Sequence, residues 1–315
     1  MEVNCGIDHG ALGIVINPLT HLKPMSNGYV IRTPLQCVQY VAPHTWAYMS
    51  VRRILVNEKT KYQHVLIAEL EDFGKALFLD GILQSAQADE HIYHESLVHP
   101  AMVTVGNPER VLILGTGEGA ALREVVKYSS VKEVVTVDID YELIKYVKEY
   151  LREFHNDSFK DPRVKEVYQD AVDYVRDAAA IGERFDVVIM DLTDPYGSEI
   201  GTRVYSTNVI RGIYSMLNEH GALIVQAGSS FLFPKEYGLV YDMVKLTFPL
   251  VTEYQVWVPS FMYAESFILA TKGTNPLKLS SDKVDAVLRI NGVKTRFYNG
   301  KVHSALMALG SYNRT

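Results

Sequence analysis

Acidic residues follow several predicted strands of the chain, at the point where each strand ends or shortly after it. They are Glu118, Asp138, Asp170, Asp191 and Asp194. Because the carboxyl ends of neighbouring parallel strands meet in one crevice, we expect these side chains to lie close together. Such carboxylates repel one another unless a cation or a ligand rich in hydrogen-bond donors is bound. The sequence therefore predicts a site for a positively charged ligand with hydroxyl and amine groups, with a divalent metal ion as the competing explanation. Asp170 on its own also has a simpler interpretation as a helix cap.

The glycine-rich turn at residues 115–119 indicates a nucleoside site. It follows the apolar run 111–114 and precedes the helix-forming stretch 120–126, and this order places a nucleotide at the carboxyl end of a strand. Glycines permit positive φ and let the backbone approach a ligand closely. Asp138 lies about 20 residues further on, the spacing at which an acid meets ribose hydroxyls. Glu118 discourages a pyrophosphate beside the helix N-terminus, so the turn favours an adenosine-type ligand and disfavours a dehydrogenase.

Strands and helices alternate after residue 110. The apolar strand candidates are 111–114, 134–138, 164–168, 185–190, 222–228 and 266–271, and the longer helix candidates are 141–154, 204–217 and 237–248. This alternation predicts an α/β fold in which a Rossmann-like, mostly parallel sheet carries helices on both faces. We assign this domain to residues 85–315. Near its start, a helix after Asp89 would carry Tyr93 and His94 in a dense polar cluster.

The chain before this domain is rich in β signals. Three strand candidates at 51–56, 62–68 and 75–79 are separated by turn residues, and they predict a small antiparallel β domain at 45–84. Residues 1–44 are interpreted as an N-terminal β appendage for packing or oligomer contacts, with candidate strands at 29–33 and 36–41.

Composition limits the classes of function. The 315 residues are 48% apolar and carry a net charge of −6 without an obvious basic stripe, so nucleic acid is not an expected partner. The two cysteines, Cys5 and Cys37, predict neither a metal cluster nor a disulfide framework. No signal peptide and no apolar run of membrane length stand out, so we expect a cytoplasmic protein without a membrane partner.

Several ordered motifs resemble those of the polyamine aminopropyltransferases, the spermidine and spermine synthase family. They are 80–84, 89–90, 93–95, 115–119, 122–125, 138–140 and 191–195, and the resemblance runs from about residue 45 to residue 305. Segments 93–101, 117–119, 226–228 and 258–261 look most like thermospermine synthases. Glu118 and Phe261 stand where spermidine synthases usually carry Asp and Tyr, which disfavours putrescine as the acceptor.

The resemblance implies transfer of an aminopropyl group from decarboxylated S-adenosylmethionine to a polyamine, with release of methylthioadenosine. It implies a cosubstrate rather than a tightly bound cofactor, no metal, and a homodimer or homotetramer. The donor residues implied by matching positions are Gln63, His94, Gly115, Gly117, Glu118, Asp138, Asp170 and Ala171. Of these, Gln63 and Asp170 would hold the nucleoside, Asp138 the ribose, and Glu118 with His94 the aminopropyl region. The acceptor residues implied in the same way are Tyr93, Asp191, Asp194 and Phe261.

The residue types suit this chemistry. An acceptor amine is protonated in water and cannot attack, but a neighbouring carboxylate can take its proton and aim its lone pair. We assign this catalytic role to Asp191, helped by Tyr93. The leaving group is a neutral thioether, which needs no acid or metal to depart. Spermidine is the expected acceptor, with putrescine, agmatine or another amine as alternatives. A methyltransferase shares the glycine turn and the ribose acid, and a non-catalytic polyamine- or nucleoside-binding protein would keep the acids.

Overall fold

A computed structural model describes residues 35–42, 44–194 and 203–310, which form two compact units. The first unit contains the described residues up to Ala88 together with Ser260–Met262. The second contains Asp89–Pro259 and the chain from Tyr263 onward, within the described ranges. The candidate strand at 29–33 lies outside the described residues.

The first unit is a five-stranded antiparallel sheet whose strands are ordered as they occur in the chain. Its strands are β1 (Leu35–Ala42), β2 (Thr45–Lys59), β3 (His64–Leu70), β4 (Gly74–Leu79) and β5 (Ile82–Ala86). β1 was predicted as part of a separate appendage ending at residue 44, but it pairs along β2 from Leu35 opposite Val51 to Ala42 opposite Thr45. The boundary drawn between residues 44 and 45 therefore falls inside a hairpin, and the unit extends past residue 84 to Ala88.

The second unit contains a seven-stranded mixed sheet. Its strands are β6 (Arg110–Leu114), β7 (Glu133–Asp138), β8 (Val164–Tyr168), β9 (Phe185–Met190), β10 (Leu217–Gln226), β11 (Leu250–Val258) and β12 (Tyr263–Thr271). The spatial order is β11-β12-β10-β9-β6-β7-β8. β10, β9, β6, β7 and β8 are parallel, whereas β12 is antiparallel to both β10 and β11. The predicted fold class, an antiparallel sheet followed by a Rossmann-like sheet, is confirmed.

Helices pack on both faces of this sheet. The helices are α1 (Glu90–Val105), α2 (Ala120–Val126), α3 (Tyr141–Tyr150), α4 (Arg152–His155), α5 (Ala171–Ala180), α6 (Thr207–Met216), α7 (Pro234–Lys245), α8 (Ser281–Ile290) and α9 (Gly300–Leu309). Short 3₁₀ turns cover Ser158–Lys160, Pro259–Phe261 and Pro276–Lys278. One core joins β6, β9 and β10 to α5, α6 and α7 through residues such as Leu112, Val175 and Ile213. The helix predicted at 141–154 is interrupted at Leu151, where φ is −118° and ψ is 36°.

α1 is the most deeply buried helix of functional interest. Thirteen of its 16 residues are buried, and they include Tyr93, His94, Leu97 and Met102. Such all-round burial marks a core helix rather than an amphipathic surface helix. Its position inside the second unit holds its polar side chains within the core. Within the described ranges, no helix has the length and apolar character needed to cross a membrane.

Candidate active site

The glycine turn after β6 lies against the chain that leaves β9. Gly115 has φ of 87°, and a Cβ there would lie 1.9 Å from the backbone carbonyl oxygen of Asp191. Glycine is therefore required for the two strand ends to approach this closely. At Gly117, where φ is 50°, a Cβ would meet no atom within 4 Å, so the space beside this residue is open. Gly119 then begins α2 in the left-handed conformation.

Asp138, at the end of β7, binds the backbone of the glycine turn. Its Oδ2 accepts hydrogen bonds from the N–H groups of Thr116 (3.0 Å) and Gly117 (3.3 Å), and its Oδ1 accepts one from Asp140 N–H at 2.9 Å. Burial raises the pKa of the Asp138 carboxyl, and the three N–H bonds oppose that rise. Because a carboxylate of the chain already occupies these two turn amides, a pyrophosphate could not use them. This geometry argues against a dinucleotide site, in agreement with the sequence.

Tyr93 and Asp191 form a direct pair although 98 residues separate them. Tyr93 lies on α1 and Asp191 lies just after β9. The phenol O–H of Tyr93 donates to Asp191 Oδ1 at 2.5 Å. The Tyr93 ring packs on Phe267 at 5.4 Å between centroids and makes an edge contact with His94 at 4.9 Å. Burial, followed by the nearby carboxylates of Asp191 and Glu265, raises the pKa of Tyr93 well above its usual value. Tyr93 is therefore a neutral donor fixed by its packing.

The environment of Asp191 makes this carboxylate a stronger base than an ordinary aspartate. Burial raises the pKa of Asp191 to about 6. The positive charge of His94 and the Tyr93 hydrogen bond oppose that rise, whereas Glu118 and Asp194 add to it. A carboxyl with this pKa is mostly ionised at neutral pH, yet it holds a proton firmly enough to act as a general base.

His94 lies between two carboxylates. Its Nδ1 is 2.8 Å from the Glu90 carbonyl oxygen and 3.0 Å from Glu90 Oε2, and its Nε2 is 2.9 Å from Glu118 Oε1. The contact with Glu118 is a close and buried ion pair. Burial lowers the pKa of His94, but Glu118 and Glu90 outweigh it and raise that pKa to about 10. His94 is therefore a buried imidazolium at neutral pH.

A second polar cluster surrounds the amide of Gln226, at the end of β10. Gln226 Nε2 donates to Asp194 Oδ1 at 2.6 Å and to Glu265 Oε1 at 3.3 Å, while its Oε1 accepts from Tyr205 O–H at 3.1 Å. Glu265 is 1% exposed. Burial and the neighbouring carboxylates of Asp194 and Asp191 raise the pKa of Glu265 well above its usual value. Glu265 and Tyr205 were not predicted from the sequence, although Glu265 is an isolated acid near the start of an apolar strand.

Two family models match the chain. The spermine/spermidine synthase domain matches residues 90–280, and the spermidine synthase tetramerisation domain matches residues 38–87. The chain belongs to the spermine/spermidine synthase family. The prediction that it is an aminopropyltransferase is confirmed at this level.

Named relatives and solved structures of this family cover most of the chain. A polyamine aminopropyltransferase of Pyrobaculum calidifontis is 47% identical over 274 residues, which are 87% of this chain and 95% of the relative. Polyamine aminopropyltransferase 1 of Hyperthermus butylicus is 49% identical over 264 residues, 84% of this chain and 90% of the relative. A crystal structure of spermidine synthase with the transition-state analogue AdoDATO has a TM-score of 0.81 at 29% identity, covering 90% of this chain and 96% of that one. The spermidine synthase of Thermotoga maritima has a TM-score of 0.79 at 28% identity, covering 91% and 96%.

The remaining residues predicted from the family resemblance lie in simpler surroundings. Asp170 caps α5 by accepting from Val172 N–H at 2.8 Å, and Arg203 Nη2 is 3.5 Å from its Oδ2. Ala171 is the first residue of that helix and joins its core. Gln63 and Phe261 belong to the first unit, where the Gln63 carbonyl accepts from Thr60 N–H and Phe261 is buried. The donor and acceptor roles of these four residues stay predictions.

A divalent metal ion is the competing explanation for these acidic residues. Across ranges 35–42, 44–194 and 203–310, no group of three or more His, Cys, Asp or Glu side chains is arranged to hold a metal ion. The carboxylates near Asp191 instead contact a phenol, an imidazolium and an amide. These partners are hydrogen-bond donors.

Proposed function

We propose that this aminopropyltransferase moves the aminopropyl group of decarboxylated S-adenosylmethionine to an amine of spermidine, giving thermospermine and methylthioadenosine. The observation that carries the proposal is the 2.5 Å pair of Tyr93 and Asp191, in which the pKa of Asp191 is about 6. A base of this strength can accept the proton of an alkylammonium whose own acidity rises on leaving water.

The proposed step is a nucleophilic displacement at carbon. An acceptor N–H gives its proton to Asp191, and the nitrogen lone pair forms a bond to the methylene carbon attached to the sulfonium. The carbon–sulfur bond breaks, and its electron pair goes to sulfur, which leaves as a neutral thioether. Tyr93 holds the Asp191 carboxylate in one orientation, so the base and the nucleophile are aligned before reaction.

The donor would occupy the turn beside β6. Open space at Gly117 would admit the nucleoside, and Asp138 Oδ1, which accepts a single N–H, has a lone pair for a further hydrogen bond. The Glu118 carboxylate would attract the cationic aminopropyl chain and sulfonium. Gly115, Asp170 and Ala171 complete the proposed donor site, and the nucleoside role of Gln63 stays a prediction of the family resemblance. The solved spermidine synthase named above was crystallised with AdoDATO, and we extend a donor site of that type to this chain.

The acceptor would occupy the acidic cluster around Gln226. Asp194 and Glu265 both accept from the Gln226 amide, which carries no charge to offset them. The Asp191 carboxylate is near enough to help raise the pKa of Glu265. An acceptor with cationic nitrogens beyond the reacting one would supply that charge. This favours a triamine over a diamine, in agreement with Glu118 and Phe261. We also propose a homodimer or homotetramer, since the first unit matches a tetramerisation domain.

Product analysis tests the proposal. Purified protein is incubated with decarboxylated S-adenosylmethionine and an equimolar mixture of putrescine, agmatine, spermidine and spermine, and the products are separated and identified by mass spectrometry against thermospermine and spermine standards. We expect thermospermine and an equal amount of methylthioadenosine. Spermidine formed from putrescine would reverse the acceptor assignment. Methylated products from S-adenosylmethionine, or binding without methylthioadenosine release, would overturn the reaction itself.

A further inference from the structure

Four side chains of alternating charge connect α2 to the predicted donor site. Arg123 on α2 contacts Glu90 on α1 through Nη1–Oε1 (3.1 Å) and Nη2–Oε2 (2.9 Å). Glu90 Oε2 is 3.0 Å from His94 Nδ1, and His94 Nε2 is 2.9 Å from Glu118 Oε1. The side chains of Glu90 and His94 are only 5% and 3% exposed, so solvent screens these contacts weakly. Neither Glu90 nor Arg123 has a role in the reaction described above.

We propose that Glu90, fixed by Arg123, is a positioning residue that keeps His94 positively charged and thereby sets the proton affinity of Asp191. The inference rests on the proposed function for its link to catalysis. Its first step, the charge of His94, does not depend on the reaction.

The geometry requires a proton on each ring nitrogen of His94. Nδ1 faces the backbone carbonyl of Glu90, which can only accept a hydrogen bond, and also faces the Glu90 carboxylate. Nε2 faces the carboxylate of Glu118. A neutral imidazole would turn the lone pair of one nitrogen toward one of these acceptors. His94 is therefore an imidazolium here, and it cannot itself serve as the base that receives the acceptor's proton.

Arg123 prevents Glu90 from turning away. Its guanidinium holds both oxygens of Glu90 and is itself fixed by the Phe154 carbonyl and by Glu124 Oε1, which lies 2.9 Å from Nε. Glu90 therefore lies between two cations, Arg123 and His94. A bidentate pair of this kind restricts orientation as well as charge.

The charge of His94 reaches Asp191. Asp191 accepts from Tyr93 of α1, and the charges that act on it are those of His94 on α1, Glu118 in the glycine turn, Asp194 in its own segment and Glu265 on β12. Among these groups His94 is the cation, and it lowers the pKa of Asp191 while Glu118 and Asp194 raise it. Loss of the imidazolium would leave the acids unopposed. The pKa of Asp191 would then rise further, and a larger share of the carboxyl would hold a proton at neutral pH and could not accept another.

The variant Glu90→Gln keeps the size of the side chain and removes its charge. We expect the acidic limb of the kcat/KM profile for the acceptor to move to higher pH by about one unit, the smallest shift typical of a nearby charge. Activity at pH 6 would fall about fivefold further than activity at pH 8.5, since the ionised fraction of Asp191 at pH 6 drops from about one half to about one tenth. Selective histidine labelling gives a second readout, in which the His94 resonance is assigned by its loss in His94→Asn. Wild-type His94 should not titrate between pH 6 and 8.5, whereas in Glu90→Gln it should.

Glu124→Gln is the matched control. Glu124 is an equally buried carboxylate in contact with Arg123, with Lys127 at 2.6 Å and with His99 at 3.0 Å, but it does not contact His94. We expect it to leave both the acidic limb and the His94 titration unchanged. An equal shift in Glu124→Gln would show a general loss of structure and overturn the proposal. Titration of wild-type His94 near pH 6.5 would overturn it whether or not Glu90→Gln folds. Because the resonance is read without turnover, an inactive protein with an untitrating His94 would instead count against the proposed function alone.

Discussion

Replacement of Asp191 by Asn should lower the rate of catalysis but raise the stability of the folded protein. The amide keeps an oxygen that can accept the Tyr93 hydrogen bond, but it cannot take a proton from an amine. General-base catalysis contributes about 10² to 10⁴ in rate, so we expect kcat to fall by about a thousandfold. The dissociation constant of the donor should stay within about tenfold, or ~1.4 kcal/mol. The reason is that Asp191 takes its proton from the acceptor and not from the donor.

The same change should stabilise the folded protein at alkaline pH. Folding raises the pKa of Asp191 from 3.8 to about 6, so the folded state favours the protonated form. Stability from this group is complete below pH 3.8 and is lost as the pH rises through about 6. At 1.36 kcal/mol per pH unit, ionised Asp191 costs up to ~3 kcal/mol at pH 8 and about 0.5 kcal/mol at pH 4. The upper figure is a ceiling, because the Asp191 side chain is only partly shielded from solvent.

Urea unfolding at pH 4 and pH 8 measures this effect, alongside single-turnover transfer and calorimetric donor binding. Asp186→Asn is the control on the same strand, because Asp186 accepts from Glu109 N–H at 2.8 Å and Arg110 N–H at 2.9 Å. It should lower the free energy of unfolding and preserve the activity of the folded fraction. A less stable Asp191→Asn at pH 8, or a donor affinity reduced by several orders, would refute the assignment of Asp191 as a base of raised pKa that acts on the acceptor.

Three further predictions concern the acceptor, the donor and the C-terminal segment. Glu265→Gln should reduce kcat/KM for spermidine by about tenfold relative to putrescine, because a distal ammonium would favour the ionised form of Glu265 and an amide cannot ionise. An unchanged ratio in competition assays would remove Glu265 from the acceptor site. Asp138→Ala should weaken donor binding, because the turn and the ribose both lose an acceptor, and an unaltered calorimetric dissociation constant would contradict this. Glu95→Gln should lower the free energy of unfolding by about 2–4 kcal/mol, since buried Glu95 accepts from three N–H groups at 296–298 within 2.7–2.8 Å; chemical denaturation within 0.5 kcal/mol of wild type would argue that the amide satisfies them equally well.

The carboxyl edge of the parallel sheet could be predicted because its signals are local. Apolar runs ending in Asp138 and Asp191 mark strands that run in one direction, so their terminal acids reach one edge. Glu265 could not be found by that rule, because it stands near the start of its strand. β12 is antiparallel to β10, and its first residues therefore lie at the edge where β10 ends with Gln226. Strand direction depends on pairing across the sheet, which no short segment of sequence specifies.

Pairing between separate segments also explains why the β1–β2 hairpin and the network around Gln226 were not predicted. β1 and β2 are separated in sequence by a short turn around His44, and this turn resembles a boundary as much as a hairpin. Their register runs from Leu35 opposite Val51 to Ala42 opposite Thr45, and a register of this kind depends on the hydrophobic pattern of both strands. Likewise, the network of Gln226, Asp194 and Tyr205 joins segments whose separation in the sequence carries no periodic signal.

The burial of α1 also bears on how the protein loses activity when it is heated. Tyr93 and His94 belong to a helix enclosed by the sheet and by α2, and not to a surface loop that could open alone. Elements with this much buried contact open at free energies close to that of global unfolding. Thermal inactivation should therefore follow the cooperative melting of the whole second unit, with no earlier phase in which a folded but catalytically dead form accumulates.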